Sequence, residues 1–454
     1  MSILTALTHD ETNRQKNTLN MIASENYPSP AVIDQLGGRD PSGVRSLWSN
    51  KYGEGYPGKR YYAGNQNTDI LEKLVQEKAL QIFDQTRLDL SADSFCFTNN
   101  SLAVAQSGQV LGVEKGEYGV NVQVLSGSPA NMMVYLAILN YGDMVLTLNV
   151  ANGGHISHLH PTSNWTKFFK YQNYDLKEIS DGIFEIDFED YCAKIVEFRP
   201  KLVIIGCSSY TRSIDNYKQM CEFAHSHGAL VLADVAHING LIAAGLHPTP
   251  FLSGDSGADF VSMTTHKTFR GPRGAMLFYK NEFADIINKT IFPGTSGGPH
   301  FHQMAAIGQA CLEILGEQNY PDNLDFVDYS QKVLDDTKLL ENSLVASGLS
   351  ICNPTQNHIC LLSLPGGVDS LETQKKLERI GVITNRNLIP FDTRSAWRPS
   401  GIRLGMAALT SRGISSSDIK LLAKIIADAV LNTQDEDKLK IQSDEIVGRL
   451  NWWY

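Results

Sequence analysis

Hydrophobic and polar positions alternate along the middle of the chain in the order expected for a parallel α/β sheet. Two short apolar runs, 201–206 (KLVIIG) and 229–234 (ALVLAD), are of the kind that is buried on both faces of such a sheet. The stretch between them, 213–228, has helical spacing and ends at Gly228, which predicts a helix C-terminus there. Strands that alternate with helices in this way predict a mostly parallel sheet with helices on both faces.

The same patterns predict further elements on either side of these two strands. Before residue 313 they are a helical arm within 1–20, a helix at 128–139, and strands at 120–125, 143–150, 259–265 and 275–280. Beyond that point the pattern changes to a helix at 325–347, strands near 350–364 and 380–384, and an amphipathic helix at 416–432. The charged segment 434–440 is interpreted as a solvated chain end.

This change of pattern divides the chain into parts. We expect an N-terminal arm (1–40), a large α/β domain (41–312) and a smaller C-terminal α+β domain (313–454). Within the large domain, 86–114 is interpreted as an insertion to which the sequence assigns no role.

Composition and charge narrow the classes of function. The chain has 454 residues, of which 42% are hydrophobic and 19% charged, as in folded globular proteins. A net charge of −10 argues against a general nucleic-acid or anionic-membrane binder. The seven cysteines are widely spread without a CxxC pair, which is typical of reduced thiols and predicts no metal site. The N-terminus resembles no secretory or transit peptide, and no apolar run approaches the ~20 residues of a membrane span, so we expect a cytosolic protein.

Polar residues follow several predicted strands, where parallel α/β sheets bind ligands. Ser126, Gly127 and Ser128 link a strand to a helix. Glycine permits close approach of the backbone, and the free N–H groups at a helix start attract phosphate. An ordinary capping serine explains the same pattern. This motif alone therefore leaves two interpretations open.

Two charged residues at strand ends also have two interpretations each. Asp234 follows a fully apolar strand, where a carboxylate either pairs with a cation or caps a helix. Lys267 follows the strand at 259–265, where it either reaches water or becomes a neutral nucleophile that condenses with a carbonyl group. A phosphate site, a buried carboxylate and a nucleophilic lysine on one sheet are together what pyridoxal 5′-phosphate requires. The combination favours a Schiff base at Lys267.

Six motifs then resemble those of the serine hydroxymethyltransferase family, in the same order and over nearly the whole chain. They are MIASENYPSP (21–30), NKYGEGYPGKRYYAG (50–64), ADVAHINGLIAAG (233–245), THKTFRGPRG (265–274), FPGTSGGPHFH (292–302) and RPSGIRLG (398–405). The resemblance implies the fold-type I fold of pyridoxal-phosphate enzymes, with a mostly parallel seven-stranded sheet and a smaller C-terminal domain. It also implies interconversion of L-serine plus tetrahydrofolate and glycine plus 5,10-methylenetetrahydrofolate, with aldolase cleavage of β-hydroxy amino acids as a side activity.

The resemblance assigns cofactor roles to matching positions. Lys267 is similar to the Schiff-base lysine, Asp234 to the partner of the pyridine nitrogen, and His155 to the imidazole that stacks on the ring. The remaining cofactor residues implied are Ser126, Gly127 and Ser128 with His266 at the phosphate, Ser208 and His237 near the 3′-oxygen, and Tyr52 and Gly298 from a neighbouring subunit.

The resemblance also assigns substrate and folate roles. Arg403 is similar to the arginine that binds the amino-acid carboxylate, and Glu54 is the candidate acid/base group. The other substrate residues implied are Ser24, Tyr52, Tyr62 and His237, and the folate residues are Tyr61, Val150, Gly154, Ile156 and Asn387. Because the 52–62 residues serve the neighbouring subunit in that family, the resemblance implies a homodimer or a dimer of dimers.

The sequence differs from the family at several positions, and two alternative functions stay open. Asn152 stands where histidine is common, Phe391 where a smaller or polar residue is common, and Ser296 where glutamine is usual. Met406 and Ala407 lie in a stretch where a Thr-Pro pair is usual. A pyridoxal-phosphate lyase of the threonine-aldolase kind is one alternative function. A non-catalytic relative acting as a scaffold or RNA-binding subunit is another. Retention of Lys267, Asp234, Arg403 and Glu54 favours an enzyme over that second alternative.

Overall fold

The computed structural model describes residues 2–37, 45, 47–84 and 116–454, and the predicted insertion at 86–114 lies outside them. The strands of the described residues are β1 (Leu19–Asn20), β2 (Gly55–Tyr56), β3 (Lys59–Arg60), β4 (Tyr118–Asn121), β5 (Met144–Leu148), β6 (Lys170–Tyr174), β7 (Leu176–Ser180), β8 (Ile183–Ile186), β9 (Leu202–Gly206), β10 (Leu230–Asp234), β11 (Phe260–Thr264), β12 (Ala275–Lys280), β13 (Ser350–Ile351), β14 (Ile359–Ser363), β15 (Val382–Ile383), β16 (Asn385–Asn387) and β17 (Gly401–Gly405).

The α-helices of the same residues are α1 (Ile3–Lys16), α2 (Pro30–Leu36), α3 (Gln66–Phe83), α4 (Gly127–Ile138), α5 (Phe188–Phe198), α6 (Tyr217–Ser226), α7 (Asn239–Ala243), α8 (Ala284–Lys289), α9 (Phe301–Ile314), α10 (Phe326–Ala346), α11 (Ser370–Arg379), α12 (Ala407–Ser411), α13 (Ser416–Leu431) and α14 (Glu436–Val447). Among the described residues, no helix is both long and apolar enough to cross a bilayer.

Within the described residues, seven strands form one twisted sheet in the order β4–β12–β11–β10–β9–β5–β6. Strands β6, β5, β9, β10 and β11 run parallel, and β12 is antiparallel to both of its neighbours. This mostly parallel, seven-stranded sheet flanked by helices confirms the α/β fold class expected from the sequence.

Alternate residues of the central strands belong to two separate cores. Val203, Val231 and Val261 pack on the face that is covered by α3 and α9. Ile204 and Leu232 pack on the opposite face, which is covered by α4. A strand buried on both faces has no polar alternation, which is why these segments are continuous apolar runs in the sequence.

A second sheet lies in the C-terminal part of the described chain. Its four strands are antiparallel in the order β13–β14–β17–β16, and their inward side chains share a core with α10 and α13. The strand expected near 380–384 is present as β15, but it pairs in parallel with β1 of the N-terminal segment. The same segment crosses β17 so closely that a Cβ on Gly405 would lie 2.4 Å from Cα of Ala23.

The interpretation of 434–440 as a solvated chain end is wrong. This segment begins α14, whose first turn is capped by Asp435, with its side chain accepting from the N–H of Asp437. Leu439 and Ile446 are buried against the core that α13 also lines. The apolar positions are seven residues apart within a strongly charged stretch, so the helix buries a narrow stripe that a charge count does not reveal.

We predict that α14 contributes to stability through this stripe. Leu439 has no exposed surface, whereas Ile441 on the same helix is 60% exposed. Leu439→Ala should lower the free energy of unfolding by about 2–5 kcal/mol, because it leaves a cavity in a packed core. Ile441→Ala, the matched control, should change it by less than about 0.5 kcal/mol. Denaturant unfolding of both variants gives the comparison, and equal effects would contradict the packed position of α14.

Candidate active site

A cavity of about 730 Å³, measured out to its open mouth, lies at the carboxyl ends of the central strands. Its lining includes both Asp234, the last residue of β10, and Lys267, which follows β11. Most of the cofactor residues expected from the sequence share this lining: Ser126, Gly127, Ser128, His155, Ser208, His237 and His266. The fold therefore brings together cofactor residues that are up to 141 positions apart, from Ser126 to Lys267.

The first turn of α4 faces this cavity. Ser126 occupies the N-cap position but its side chain makes no capping hydrogen bond, which disfavours the ordinary capping interpretation. A Cβ on Gly127 would lie 2.8 Å from Cγ2 of Thr264, so only glycine fits there without displacement. Arg273, which the sequence analysis did not select, adds a cation to the lining. Hydroxyl groups, helix N–H groups and a guanidinium group form a donor set suited to an anion such as phosphate.

His266 also borders this anion-binding region. Its Nδ1 is buried and makes no hydrogen bond among the described residues. Burial, together with the positive charges of Lys267 and Arg273, lowers the pKa of His266 to about 3, so the ring is neutral at physiological pH. A neutral imidazole with a free polar atom can still donate or accept a hydrogen bond.

The carboxylate of Asp234 is held by hydrogen bonds from three directions. Oδ2 accepts from Nδ2 of Asn131 at 2.8 Å and from Nε2 of His158 at 2.9 Å, and Oδ1 accepts from the N–H of Ala236 at 3.1 Å. The helix that follows begins only at Asn239, so Asp234 is not its cap. Burial alone would raise the pKa of Asp234, but the bonds from His158 and Asn131 outweigh it and hold the pKa below its usual range.

The two donors to Asp234 were not selected from the sequence. His158 lies three residues after His155, and its Nδ1 accepts the N–H of His155 at 3.4 Å, which places its own proton on Nε2. Asn131 is fully buried in α4, and Oγ of Ser262 donates to its Oδ1 at 2.5 Å. A polar residue on the buried face of a short apolar helix was the one sequence feature that could have revealed Asn131.

Lys267 is buried, with 7% of its surface exposed. Burial lowers its pKa to about 8, with Arg403 and Arg273 adding to the effect and Asp234 opposing it. The turn that carries it is anchored, because Nδ2 of Asn26 donates to its carbonyl oxygen at 2.8 Å. A buried amine that loses its proton near neutral pH has the reactivity expected of a carbonyl nucleophile.

The same turn is held by Arg270, whose guanidinium group lies 4.5 Å from the ring centroids of both Tyr320 and Tyr329. Its Nη2 donates to Oδ2 of Asp322 at 3.1 Å, so the buried charge is paired as well as stacked. Arg270 thus fixes the turn after β11 to the segment between α9 and α10, three residues from Lys267.

A second cavity, of about 840 Å³ to its open mouth, opens from the first and contains Arg403 on β17. Nη1 of Arg403 donates to the carbonyl oxygen of Ser208 at 2.6 Å and Nε donates to Oδ1 of Asn385 at 3.1 Å. Burial lowers the pKa of Arg403 to about 10, so it remains a cation. No carboxylate of the described residues forms an ion pair with it. The expected substrate and folate residues Ser24, Val150, Gly154, Ile156 and Asn387 share this lining.

Two of the positions that differ from the usual family residues, Asn152 and Phe391, are hydrogen-bonded to each other. Oδ1 of Asn152 accepts the N–H of Phe391 at 2.8 Å, and Nδ2 of Asn152 donates to Oδ1 of Asp175 at 2.7 Å. Phe391 has φ of +57° and its ring lies 5.6 Å from that of Phe184. Asn152 thereby connects the loop that carries His155 to the loop that borders the second cavity.

Five expected site residues line neither cavity. They are Tyr52, Glu54, Tyr61, Tyr62 and Gly298. The hydroxyl of Tyr52 donates to Oε1 of Glu54 at 2.8 Å, and a Cβ on Gly298 would lie 2.9 Å from the ring of Tyr52. Tyr52, Tyr61 and Tyr62 are 51%, 76% and 48% exposed. These residues form a separate, solvent-facing cluster on this chain.

Comparison with protein families agrees with this geometry. The family model for serine hydroxymethyltransferase matches residues 2–93 and 91–426, which is nearly the whole chain. The chain belongs to the serine hydroxymethyltransferase family. It is therefore a glycine hydroxymethyltransferase, a transferase of the pyridoxal-phosphate-dependent class, and the family and fold expected from the six motifs are confirmed.

The low pKa of Lys267 leads to a prediction about its reactivity. In the protein freed of cofactor, acetylation of Lys267 by acetic anhydride, followed by peptide mass spectrometry, should be half-maximal near pH 8. The charge of Asp234 raises this pKa, so Asp234→Asn should move the midpoint to lower pH. A midpoint close to the ordinary lysine value of 10.5 would contradict the desolvated position described above.

Proposed function

We propose that this enzyme interconverts L-serine plus tetrahydrofolate and glycine plus 5,10-methylenetetrahydrofolate, with pyridoxal 5′-phosphate attached at Lys267. The observation that carries the proposal is the shared cavity of Lys267, Asp234 and the first turn of α4. When bound, pyridoxal phosphate supplies an electron sink for the negative charge that forms on the substrate α-carbon.

The cavity residues fit that cofactor. Among the described residues Asp234 forms no ion pair with a lysine or an arginine, so this anion can hold a protonated ring nitrogen. Ser126, Gly127 and Ser128 offer donors to the phosphate, together with His266. His155, which is neutral because burial lowers its pKa to about 4, can stack on the ring, and Ser208 and His237 can bind the 3′-oxygen side.

Arg403 suits the amino-acid carboxylate. Its bonds to Ser208 and Asn385 use Nε and one hydrogen of Nη1, which leaves donors on Nη1 and Nη2 for a bidentate contact. Ser24 lines both cavities and can bind the same substrate. A buried cation without an anionic partner favours a carboxylate ligand, since binding offsets its desolvation cost. The adjoining lining of Val150, Gly154, Ile156 and Asn387 is where we place the folate.

Glu54 is our candidate for the group that manages the proton on the departing hydroxymethyl oxygen. It carries a hydrogen bond from Tyr52 on the exposed cluster, so we propose that it acts in the cavity of a second subunit. Tyr61, Tyr62 and Gly298 belong to the same proposed contribution, Tyr61 toward folate, Tyr62 toward the amino acid and Gly298 toward the phosphate. The active unit is then a homodimer or a dimer of dimers.

Three further expectations stay predictions. They are the division of the chain at 312/313 into two domains, a cytosolic location, and the absence of specific nucleic-acid partners. Aldolase cleavage of β-hydroxy amino acids is proposed as a side activity, because Arg403 and Lys267 act on the amino-acid portion that all such substrates share.

The proposed reaction has a direct test. The purified holoenzyme with L-serine should yield glycine and methylenetetrahydrofolate in equal amounts when tetrahydrofolate is present, and Lys267→Ala should abolish the yield. Tetrahydrofolate should accelerate serine cleavage. A rate of serine cleavage that is independent of folate would favour the threonine-aldolase kind of lyase and overturn the proposed transfer.

The shared site predicts complementation between two inactive variants. Lys267→Ala and Glu54→Gln homo-oligomers should each be inactive in transfer. After random exchange of subunits in a 1:1 mixture, one site in each hybrid dimer has both native residues, so activity should return to about a quarter of the wild-type level. If Glu54 acted within its own subunit, every site would lack one of the two groups and the mixture would stay inactive.

A further inference from the structure

A second buried histidine, His358, lies directly behind His237 on the side away from the cavity. The two imidazole rings are nearly parallel, with centroids 5.4 Å apart and planes inclined by 21°. Nε2 of His358 lies 3.3 Å from Nδ1 of His237 and 3.2 Å from the carbonyl oxygen of Ala23. His358 is completely buried. The rings are therefore in hydrogen-bonding contact through these two nitrogens.

The position of one proton follows from the acceptor on Ala23. A carbonyl oxygen can only accept, so Nε2 of His358 must carry a proton for that contact to be favourable. The same N–H then faces Nδ1 of His237, which accepts it through a lone pair. A proton on Nδ1 of His237 would set two N–H groups against each other. The geometry thus places the proton of a neutral His237 on Nε2.

The electrostatic surroundings keep both rings neutral. His237 faces Lys267 after β11, Arg403 on β17, His358 before β14 and His155 in the loop after β5. Burial and these positive or ionisable neighbours lower the pKa of His237 well below its usual value. Burial likewise lowers the pKa of His358 to about 3. Nδ1 of His358 is buried and has no hydrogen-bond partner among the described residues. This favours an unprotonated Nδ1, because a buried N–H without an acceptor would be costly.

We propose that His358 is a positioning residue that fixes the tautomer of His237, so that Nε2–H of His237 points as a hydrogen-bond donor into the cavity. Nδ1 of His237 is occupied by His358, and His237 lines the cavity beside Lys267. A fixed donor there suits an acceptor oxygen of the bound cofactor or substrate. The identity of that acceptor rests on the proposed function, whereas the tautomer does not.

His358 also connects parts of the chain that approach the cavity separately. It lies in the turn before β14, and its carbonyl oxygen accepts the N–H of Met406 at 3.2 Å, after β17. Ala23, the second acceptor of its Nε2 proton, immediately precedes Ser24. A single N–H group thus bonds both the segment that carries Ser24 and the ring of His237.

The test compares two variants with the wild-type holoenzyme. His358→Gln can keep an N–H donor near the position of Nε2, whereas His358→Leu removes it. In protein with ¹⁵N-labelled histidine, two-bond ¹⁵N–¹H spectra distinguish a protonated from a bare ring nitrogen, and a His237→Asn sample identifies the resonances of His237. The wild type and His358→Gln should show His237 protonated on Nε2 alone. His358→Leu should show a mixture of the two tautomers.

A second measurement follows from the loss of one oriented hydrogen bond. The dissociation constant of pyridoxal phosphate should rise about 3- to 10-fold in His358→Leu and by less than about 2-fold in His358→Gln. A wild-type spectrum with the proton of His237 on Nδ1 would overturn the proposal without any variant. An unchanged His237 spectrum in His358→Leu would do the same. If the wild type made no glycine from serine, the proposed function would fail, but the spectrum would still decide the tautomer.

Discussion

The buried carboxylate of Asp234 is the constraint around which the cavity is organised. A charge at the end of a strand buried on both faces persists only when donors surround it, and here they come from three parts of the chain. Asn131 requires the first turns of α4 to approach β10, and His158 requires the loop after β5 to fold back over it. The same approach brings the first turn of α4 and His155 to the lining that contains Lys267. The hydrogen bonds that stabilise the charge of Asp234 therefore determine which elements surround the site.

The central sheet could be predicted from the sequence because its strands are buried on both faces. The run at 275–280 coincides with β12, and the runs at 201–206 and 229–234 contain β9 and β10 within one residue. Elements whose burial depends on distant partners were not predictable in this way. The pairing of β1 with β15 joins residues more than 360 positions apart, and α14 buries only a narrow stripe. Local patterns carry no information about either contact.

A related reason explains why some residues of the site were predicted from the sequence and others were not. Lys267, Asp234 and the Ser126–Ser128 turn were found because charged and small residues stand out after apolar strands, and their joint lining of one cavity agrees with that analysis. Asn131, His158 and His358 were not found, because each acts through a neighbour that only the fold supplies. Asn152 and Phe391 looked like two unrelated differences in the sequence, yet they are bonded partners. Their spatial link could be seen only in the folded chain.

The N-terminal segment that carries Ser24 is fastened to both parts of the molecule at once. It pairs with β15 and contacts Gly405 on one side, and Asn26 bonds the lysine-bearing turn on the other. Such a double attachment acts as a strap, since a rotation of one core relative to the other would stretch or release it. A large hinge closure around a ligand would therefore have to break the β1–β15 pairing or the bond from Asn26. The double attachment of this segment thus favours a site whose shape is largely set before a ligand enters.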